Sequence, residues 1–77
     1  MLSDTFFMQI AYQEALKAFN LGEVPVGAVI VCEGQIIAKA HNLCEQLHDV
    51  TAHAEMLAIT AASGFLSAKY LNECTMF

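Results

Sequence analysis

Basic side chains are scarce in this chain of 77 residues. It contains no arginine, and Lys17, Lys39 and Lys69 stand against eight acidic residues, which leaves a net charge of −5. Proteins that bind a phosphate backbone present clustered lysines and arginines. These residues by themselves therefore offer no footprint for a nucleic acid.

Charged residues of both signs are also few, at 14% of the chain, where about 25% is usual in globular proteins. Hydrophobic residues make up 57%. A domain this small exposes much of its surface and should need more polar residues than a large one. We therefore predict that residues 1–77 form one partial domain, which either belongs to a larger unit or assembles as a homodimer or higher homo-oligomer.

The marks of export are missing as well. The N-terminus MLSDTFFMQI has no basic region before an apolar run, and the longest apolar runs are too short to span a membrane. The odd count of three cysteines, Cys32, Cys44 and Cys74, leaves at least one unpaired. Without an export signal or a membrane span, we expect a cytoplasmic protein with no membrane segment. Because reduced thiols are the rule in the cytosol, we also expect no disulfide framework.

The first element is predicted to be an amphipathic helix. Ser3 or Asp4 can cap it, and Gly22 is placed where a left-handed residue ends a helix. Apolar residues recur three or four positions apart in this stretch, which is typical of one helix side. The positions expected to face the core are Phe7, Met8, Ala11, Ala15, Leu16 and Phe19.

A β-hairpin is predicted after Pro25. The run VGAVIVC, residues 26–32, is rich in β-branched residues and too short for a helix. Glu33-Gly34 then forms a tight turn into QIIAKAH, residues 35–41. Since the first strand is apolar on both faces, it should lie inside a sheet that is covered on each side.

The second half of the chain predicts one more helix and the start of a strand. Residues 42–50 are polar and irregular, and Thr51 can cap a helix of residues 52 to about 63. This helix is apolar nearly all round, which indicates burial on all sides. A loop or short helical turn up to Tyr70 follows, and ECTMF at 73–77 looks like the start of a third strand.

The order of helix, hairpin, helix and strand start indicates an α/β fold with helices packed on a small sheet. A helix buried on all sides needs a second covering layer, and a strand that has barely begun leaves an open edge. Both features favour association with another chain. One interpretation is therefore a non-catalytic truncated fragment that is stabilised by oligomerisation.

Two ionisable residues interrupt the alanine-rich stretch TAHAEMLAI. Residues two apart within a helix point about 200° away from each other, so His53 and Glu55 converge only where a helix begins. A neutral imidazole is a good zinc ligand, and a carboxylate beside the metal can transfer protons from water. The alternative is a histidine and a glutamate exposed at a helix start, where the dipole favours the carboxylate.

A small metal-binding module is a further alternative. Cys44, His48, Asp49 and His53 follow one another at separations of 4, 1 and 4, which would let a loop wrap around zinc. This is not a recognised structural zinc spacing with paired Cys-x-x-Cys. Cys32 and Cys44 individually are more typical of small buried hydrophobic residues.

Three segments together resemble the zinc-dependent cytidine and adenosine deaminase superfamily, and most closely its bacterial tRNA-specific adenosine deaminases. They are GEVPVGAVIV at residues 22–31, the pair His41-Asn42, and DVTAHAE at residues 49–55, in order and at fitting separations. The H-x-E element is followed in this superfamily by P-C-x-x-C. The resemblance implies a cytidine-deaminase-like helix–sheet–helix sandwich, of which this chain holds an incomplete part.

The resemblance also implies roles for individual residues. His53 would be a zinc ligand, and Glu55 would carry the proton of the attacking water to the base and the departing amine. Asn42 would hydrogen-bond the substrate nucleoside. Val24 and the backbone at Ala54 would line the pocket for the base.

The chain departs from the family pattern in its zinc ligands. P-C-x-x-C is missing, so the other two ligands are expected beyond Phe77. Cys74 has no cysteine three residues later and is a poor substitute, and Val50 stands where relatives usually have proline.

The activity that the resemblance implies is zinc-dependent hydrolytic deamination of a nucleobase or nucleoside. Adenosine in tRNA, converted to inosine, is the first candidate substrate, and cytosine, guanine or cytidine are the alternatives. We expect little or no activity from the 77 residues alone.

Overall fold

The computed structural model describes residues 3–66 and 73–77. Its helices are α1, Asp4–Asn20, α2, Cys44–Leu47, and α3, Ala54–Leu66. Its strands are β1, Gly27–Cys32, β2, Gln35–His41, and β3, Cys74–Met76. The predicted order of helix, hairpin, helix and strand start is confirmed. The loop or short turn predicted between Gly64 and Tyr70 begins later than expected, because α3 continues to Leu66, and residues 67–70 lie outside the described residues.

The three strands form an antiparallel sheet in the order β2-β1-β3. Glu33 and Gly34 join β1 to β2 with φ angles of 52° and 77°. Positive φ at both central residues belongs to the type I′ turn, whose twist matches that of the flanking strands. The hairpin prediction is therefore confirmed, with a register shift between Ile30 and Val31 as an added irregularity.

The central strand β1 is covered by a helix on each face, as predicted. Ala28 and Ile30 pack on the α3 side, and Val29 and Val31 pack on the α1 side. Successive strand residues point to opposite faces, so a strand that is apolar throughout needs cover on both. The helix–sheet–helix sandwich is thus confirmed. The helices contribute Ala54, Ala58 and Ala62 from α3 and Phe7 and Ala11 from α1.

Helix α1 has the predicted ends and a narrower buried side. The Ser3 Oγ accepts a hydrogen bond from the Phe6 N–H at 3.2 Å, and Gly22 follows the helix with φ 79°. The buried positions follow one line along the helix, whereas the predicted set covered two neighbouring lines. The buried residues are Phe7, Ala11, Glu14 and Ala18, while Met8, Leu16 and Phe19 are exposed.

Helix α3 begins at Ala54 and not at residue 52, so the prediction of Thr51 as its N-cap is wrong. The Thr51 hydroxyl donates to Asp49 Oδ1 at 2.6 Å. The carbonyl of His53 accepts a hydrogen bond from the Leu57 N–H at 2.9 Å, which places His53 immediately before the helix.

The prediction that α3 is buried nearly all round is also wrong for the described part of the chain. Only Ala54, Ala58 and Ala62 are buried, on the side that faces the sheet. Met56 and Phe65 are exposed. Neither α3 nor any other helix within the described ranges is long and apolar enough to cross a membrane.

Residues 42–50, predicted to be irregular, contain the short helix α2. Its C-cap is His48, which has a left-handed backbone with φ 52°. A single helical turn has no apolar periodicity of its own, so hydrophobic spacing could not indicate it.

Cys32 and Cys74 form a disulfide, which corrects the expectation of reduced thiols. They lie opposite each other on β1 and β3, with their Cα atoms 4.3 Å apart. Non-hydrogen-bonded pairs in antiparallel sheets bring Cα atoms to about 4.5 Å, close enough for a cross-strand bridge. Cys44 is the free cysteine.

Candidate active site at the start of helix α3

Asn42 connects the strand ends to the start of α3. It directly follows β2 and is 3% exposed. Its Oδ1 accepts a hydrogen bond from the Ala54 N–H at 2.7 Å, and its own N–H donates to the Val26 carbonyl at 3.1 Å. The first N–H groups of a helix have no partner within the helix. A side chain from a neighbouring segment therefore satisfies one of them.

His53 and Glu55 lie on either side of the helix start. His53 immediately precedes α3, Glu55 is in its first turn, and both are exposed. Two residues at this spacing can approach each other only where a helix begins, and the observed start at Ala54 lies between them. The free N–H groups and the positive dipole end at this position favour an anionic group nearby.

Asn42 links the segment before β1 to the start of α3 by hydrogen bonds. Val24 is 66% exposed, and its carbonyl accepts a hydrogen bond from the Val26 N–H at 2.8 Å. Val26 in turn accepts from Asn42, which accepts from Ala54. Three segments that the sequence analysis singled out are thus joined in series by hydrogen bonds. The Ala54 side chain is fully buried.

The loop between Asn42 and His53 is closed by its own hydrogen bonds. The Leu43 N–H donates to the Ala52 carbonyl at 2.9 Å. Asp49 Oδ1 accepts from the hydroxyl of Thr51 at 2.6 Å and from its N–H at 2.9 Å. These two bonds, the hydroxyl first, hold the pKa of Asp49 below its ordinary value.

Sequence reasoning missed Glu23, a carboxylate that is only 5% exposed. Its Oε1 accepts from the Glu45 N–H at 3.0 Å and its Oε2 from the Gln46 N–H at 2.7 Å, in the first turn of α2. Gln46 Nε2 donates back to the Leu21 carbonyl at 3.0 Å. No short-range sequence signal marks a helix cap that comes from 22 residues away.

Sequence reasoning also missed Glu14, which is 4% exposed on α1. Its Oε1 accepts from His41 Nδ1 at 2.9 Å and its Oε2 from Lys17 Nζ at 2.7 Å. Burial by itself would raise the pKa of Glu14, but the hydrogen bonds and positive charges of His41 and Lys17 together lower it. Because His41 precedes Asn42, this carboxylate anchors the end of β2 to α1.

The donor groups present fit part of a zinc site. Among residues 3–66 and 73–77, no three His, Cys, Asp or Glu side chains are grouped so that they could hold a metal ion. The residues of the metal-module alternative are therefore not brought together, and Cys74 is engaged in the disulfide. The helix start offers one imidazole, from His53, and one carboxylate, from Glu55, which suit one ligand and one proton-transfer group.

Comparison with known proteins decides the family. A family model described as the cytidine and deoxycytidylate deaminase zinc-binding region matches residues 1–77. The chain belongs to this deaminase family. Zinc is thereby implied at the level of the family.

Two curated members of the deaminase family match almost the whole chain. The tRNA-specific adenosine deaminase of Aquifex aeolicus is 57% identical over 72 residues, which cover 94% of this chain and 48% of that protein. The tRNA-specific adenosine deaminase of Bacillus subtilis is 47% identical over 77 residues, which cover 100% of this chain and 48% of that protein. The chain therefore spans about half the length of these two relatives.

Solved deaminase structures have the same fold. One comes from a study of A-to-I editing by tRNA:A34 deaminases and matches with a TM-score of 0.90 and 42% identity, over 94% of this chain and 55% of that one. Guanine deaminase from Bacillus subtilis matches with a TM-score of 0.92 and 38% identity, over 97% of this chain and 48% of that one.

Proposed function

We propose that the full-length protein converts adenosine in tRNA to inosine by zinc-dependent hydrolysis. Full-length means a protein that contains this chain and is as long as the relatives. The names of the Aquifex aeolicus and Bacillus subtilis relatives support this substrate. The observation that carries the proposal is the hydrogen bond from the Ala54 N–H to Asn42 Oδ1. It holds a proposed substrate-binding residue beside the helix start that carries His53 and Glu55.

His53 and Glu55 divide the chemistry between them. His53 would hold zinc through a ring nitrogen, together with two ligands from outside the 77 residues. Bound zinc supplies the charge that makes water acidic near neutral pH. Glu55 would take one proton from the attacking water and pass it to the ring nitrogen, and would then take the proton of the added hydroxyl and pass it to the leaving amine. An aromatic amine is a poor leaving group until it is protonated, so the reaction needs a carboxylate that also gives protons back.

Asn42, Val24 and Ala54 form the proposed substrate-binding wall. The Oδ1 of Asn42 is engaged by Ala54, which leaves its Nδ2 as the group that can donate to an oxygen of the nucleoside. The exposed side chain of Val24 offers an apolar surface to the base. Ala54 contributes its backbone, because its side chain is fully buried.

The wider assembly is part of the proposal. Residues 1–77 form one part of a single domain, and the complete protein acts in the cytoplasm as a homodimer or higher homo-oligomer. Exposed apolar residues such as Tyr12 on α1 and Phe65 on α3 support further cover, by the rest of the domain or by a second copy. The tRNA-binding surface would come mainly from outside this chain, which has three basic residues. The 77 residues alone have little or no activity.

A deaminase of a free nucleobase or nucleoside is the second candidate. The guanine deaminase structure matches this chain with a TM-score of 0.92 at 38% identity. Guanine, cytosine and cytidine therefore belong in the test beside RNA.

The first test measures turnover and zinc in the full-length protein. Four substrates are offered separately: an anticodon stem-loop RNA that has adenosine at position 34, free guanine, free cytosine and free cytidine. Products are identified by chromatography and mass spectrometry. We expect inosine from the RNA and no product from the other three. If guanine is deaminated and the adenosine of the RNA is not, the second candidate function replaces the first.

Two substitutions assign the roles. Glu55→Gln should keep zinc and lower turnover by about 10²-fold or more, because it removes a proton-transfer group. The matched control is Glu45→Gln, at an exposed position of α2. Equal activity in Glu55→Gln would remove Glu55 from the mechanism.

His53→Ala should lower the zinc content measured by elemental analysis. Its control is His48→Asn, since asparagine tolerates the left-handed backbone at that position, where φ is 52°. Unchanged zinc in His53→Ala would contradict the ligand assignment.

A further inference from the structure

Glu23 is a buried carboxylate that the proposed chemistry does not use. Both of its oxygens are occupied by backbone N–H groups, those of Glu45 and Gln46. Hydrogen bonds to a charged acceptor are stronger than those between neutral groups. Gln46 adds a third bond between the same two segments, to the Leu21 carbonyl.

These bonds connect the two segments that carry the proposed substrate-binding residues. Val24 directly follows Glu23, and Asn42 lies shortly before the first turn of α2. The segments have a second link, from the Asn42 N–H to the Val26 carbonyl at 3.1 Å. The two segments are thus joined at two points, at Glu23 and at Asn42.

We propose that Glu23 is a positioning residue, which fixes Val24 relative to Asn42 and so sets how the base and its sugar fit between them. The inference rests on the proposed function, because that proposal gives Val24 and Asn42 their roles. Glu23 contacts neither zinc nor substrate in this assignment, and it acts through the two segments that it joins.

Glu23→Gln is the informative substitution. It keeps the size of the side chain, but two N–H donors then face one oxygen and one NH2 group, so that one bond is lost. Glu45→Gln is the matched control, because it removes the same charge from an exposed side chain and leaves the Glu45 N–H in place.

The experiment uses the full-length protein and two readouts. Amide hydrogen exchange reports the N–H groups of Glu45, Gln46 and Asn42. Steady-state kinetics on the anticodon stem-loop RNA with adenosine at position 34 give KM and kcat separately, and zinc per chain is measured on the same samples.

We expect Glu23→Gln to speed exchange at Gln46 and at Asn42 and to raise KM about fivefold or more, with kcat within about twofold and zinc unchanged. Groups that bind the substrate equally in the ground and transition states act on KM in this way. Glu45→Gln should match the unsubstituted protein in both readouts.

Two results would overturn the inference. Faster exchange confined to Glu45 and Gln46, with an unchanged KM, would make Glu23 a cap of α2 alone. A fall in kcat and zinc content at an unchanged KM would make its effect a general loss of structure. If the unsubstituted protein deaminates none of the four substrates, the proposed function fails, and exchange at Asn42 still decides whether Glu23 positions that segment.

Discussion

The side-chain oxygen of Asn42 lies 2.7 Å from the backbone nitrogen of Ala54 and accepts its hydrogen bond. A local serine or threonine commonly fills this role at a helix start. Here the acceptor comes from the residue that follows β2, so the first turn of α3 depends on the sheet for its place. The stability of the helix start and the geometry of the candidate site are therefore coupled.

The first prediction concerns this bond. Asn42→Ala should lower the free energy of unfolding of the full-length protein by about 1–3 kcal/mol, because it leaves the buried Ala54 N–H without an acceptor. Thr51→Ala is the control, because it removes only the exposed hydrogen bond from the Thr51 hydroxyl to Asp49 and should cost about 0.5 kcal/mol. Urea unfolding measures both. A loss for Asn42→Ala no larger than that for Thr51→Ala would show that the bond from the Ala54 N–H to Asn42 does not secure the start of α3.

The start of α3 shows where sequence reasoning stopped. Thr51 has the right side chain for an N-cap, and local preference alone favours it. Asn42 overrides that preference through a contact across 12 residues, which no short window of sequence contains. By contrast, the β1–β2 hairpin was predictable because all its determinants are local: β-branched residues and a glycine turn.

The second prediction concerns the close approach of β1 to α1. A Cβ atom at Gly27 would overlap the carbonyl oxygen of Ala11 and lie 2.5 Å from the Ala15 nitrogen. Since both neighbours are helix backbone, neither can move independently. Gly27→Ala should therefore destabilise the protein by about 1–3 kcal/mol or more, as overpacked sites do.

Gly64→Ala is the matched control within α3. A Cβ at Gly64 meets nothing within 4 Å, and alanine favours a helix interior over glycine by about 0.5–1 kcal/mol. Its melting temperature should rise while that of Gly27→Ala falls. A tolerated Gly27→Ala would mean that α1 lies farther from β1 than the structure places it.

The third prediction tests whether Cys32 and Cys74 form a disulfide or remain reduced thiols. After alkylation of free thiols in denaturant without reductant, Cys44 should carry the label, and Cys32 and Cys74 should appear in one linked peptide by mass spectrometry. Reduction should then cost about 2–4 kcal/mol of stability, since the bridge closes a long loop. Cys44→Ser should leave the linked peptide unchanged. Labelling of all three cysteines would restore the original expectation.

Register explains why this pairing was missed. The odd cysteine count correctly indicated one free thiol, but it contains no information on which strands are neighbours. Cys32 and Cys74 meet because β3 pairs with β1 so that these two residues are opposite. A strand of three residues leaves too little pattern in the sequence to define such a register.

The fourth prediction is a pH dependence that originates at Glu14. The folded state lowers the pKa of Glu14 from its ordinary value of 4.5. A carboxyl group with a lowered pKa contributes stability that is complete above the unfolded value and is lost as pH falls through the folded value. The stability difference between the unsubstituted protein and Glu14→Gln should therefore shrink as pH falls from about 5.5 towards pH 3.

Lys17→Met tests the cause of that dependence. Lys17 Nζ is one of the two partners of Glu14, at 2.7 Å, and His41 is the other. Removing Lys17 should reduce the pH-dependent part of the stability and leave the remainder that His41 sustains. Urea unfolding at several pH values measures each difference. A difference between the unsubstituted protein and Glu14→Gln that grows as pH falls would show that burial, which raises the pKa, outweighs the two partners.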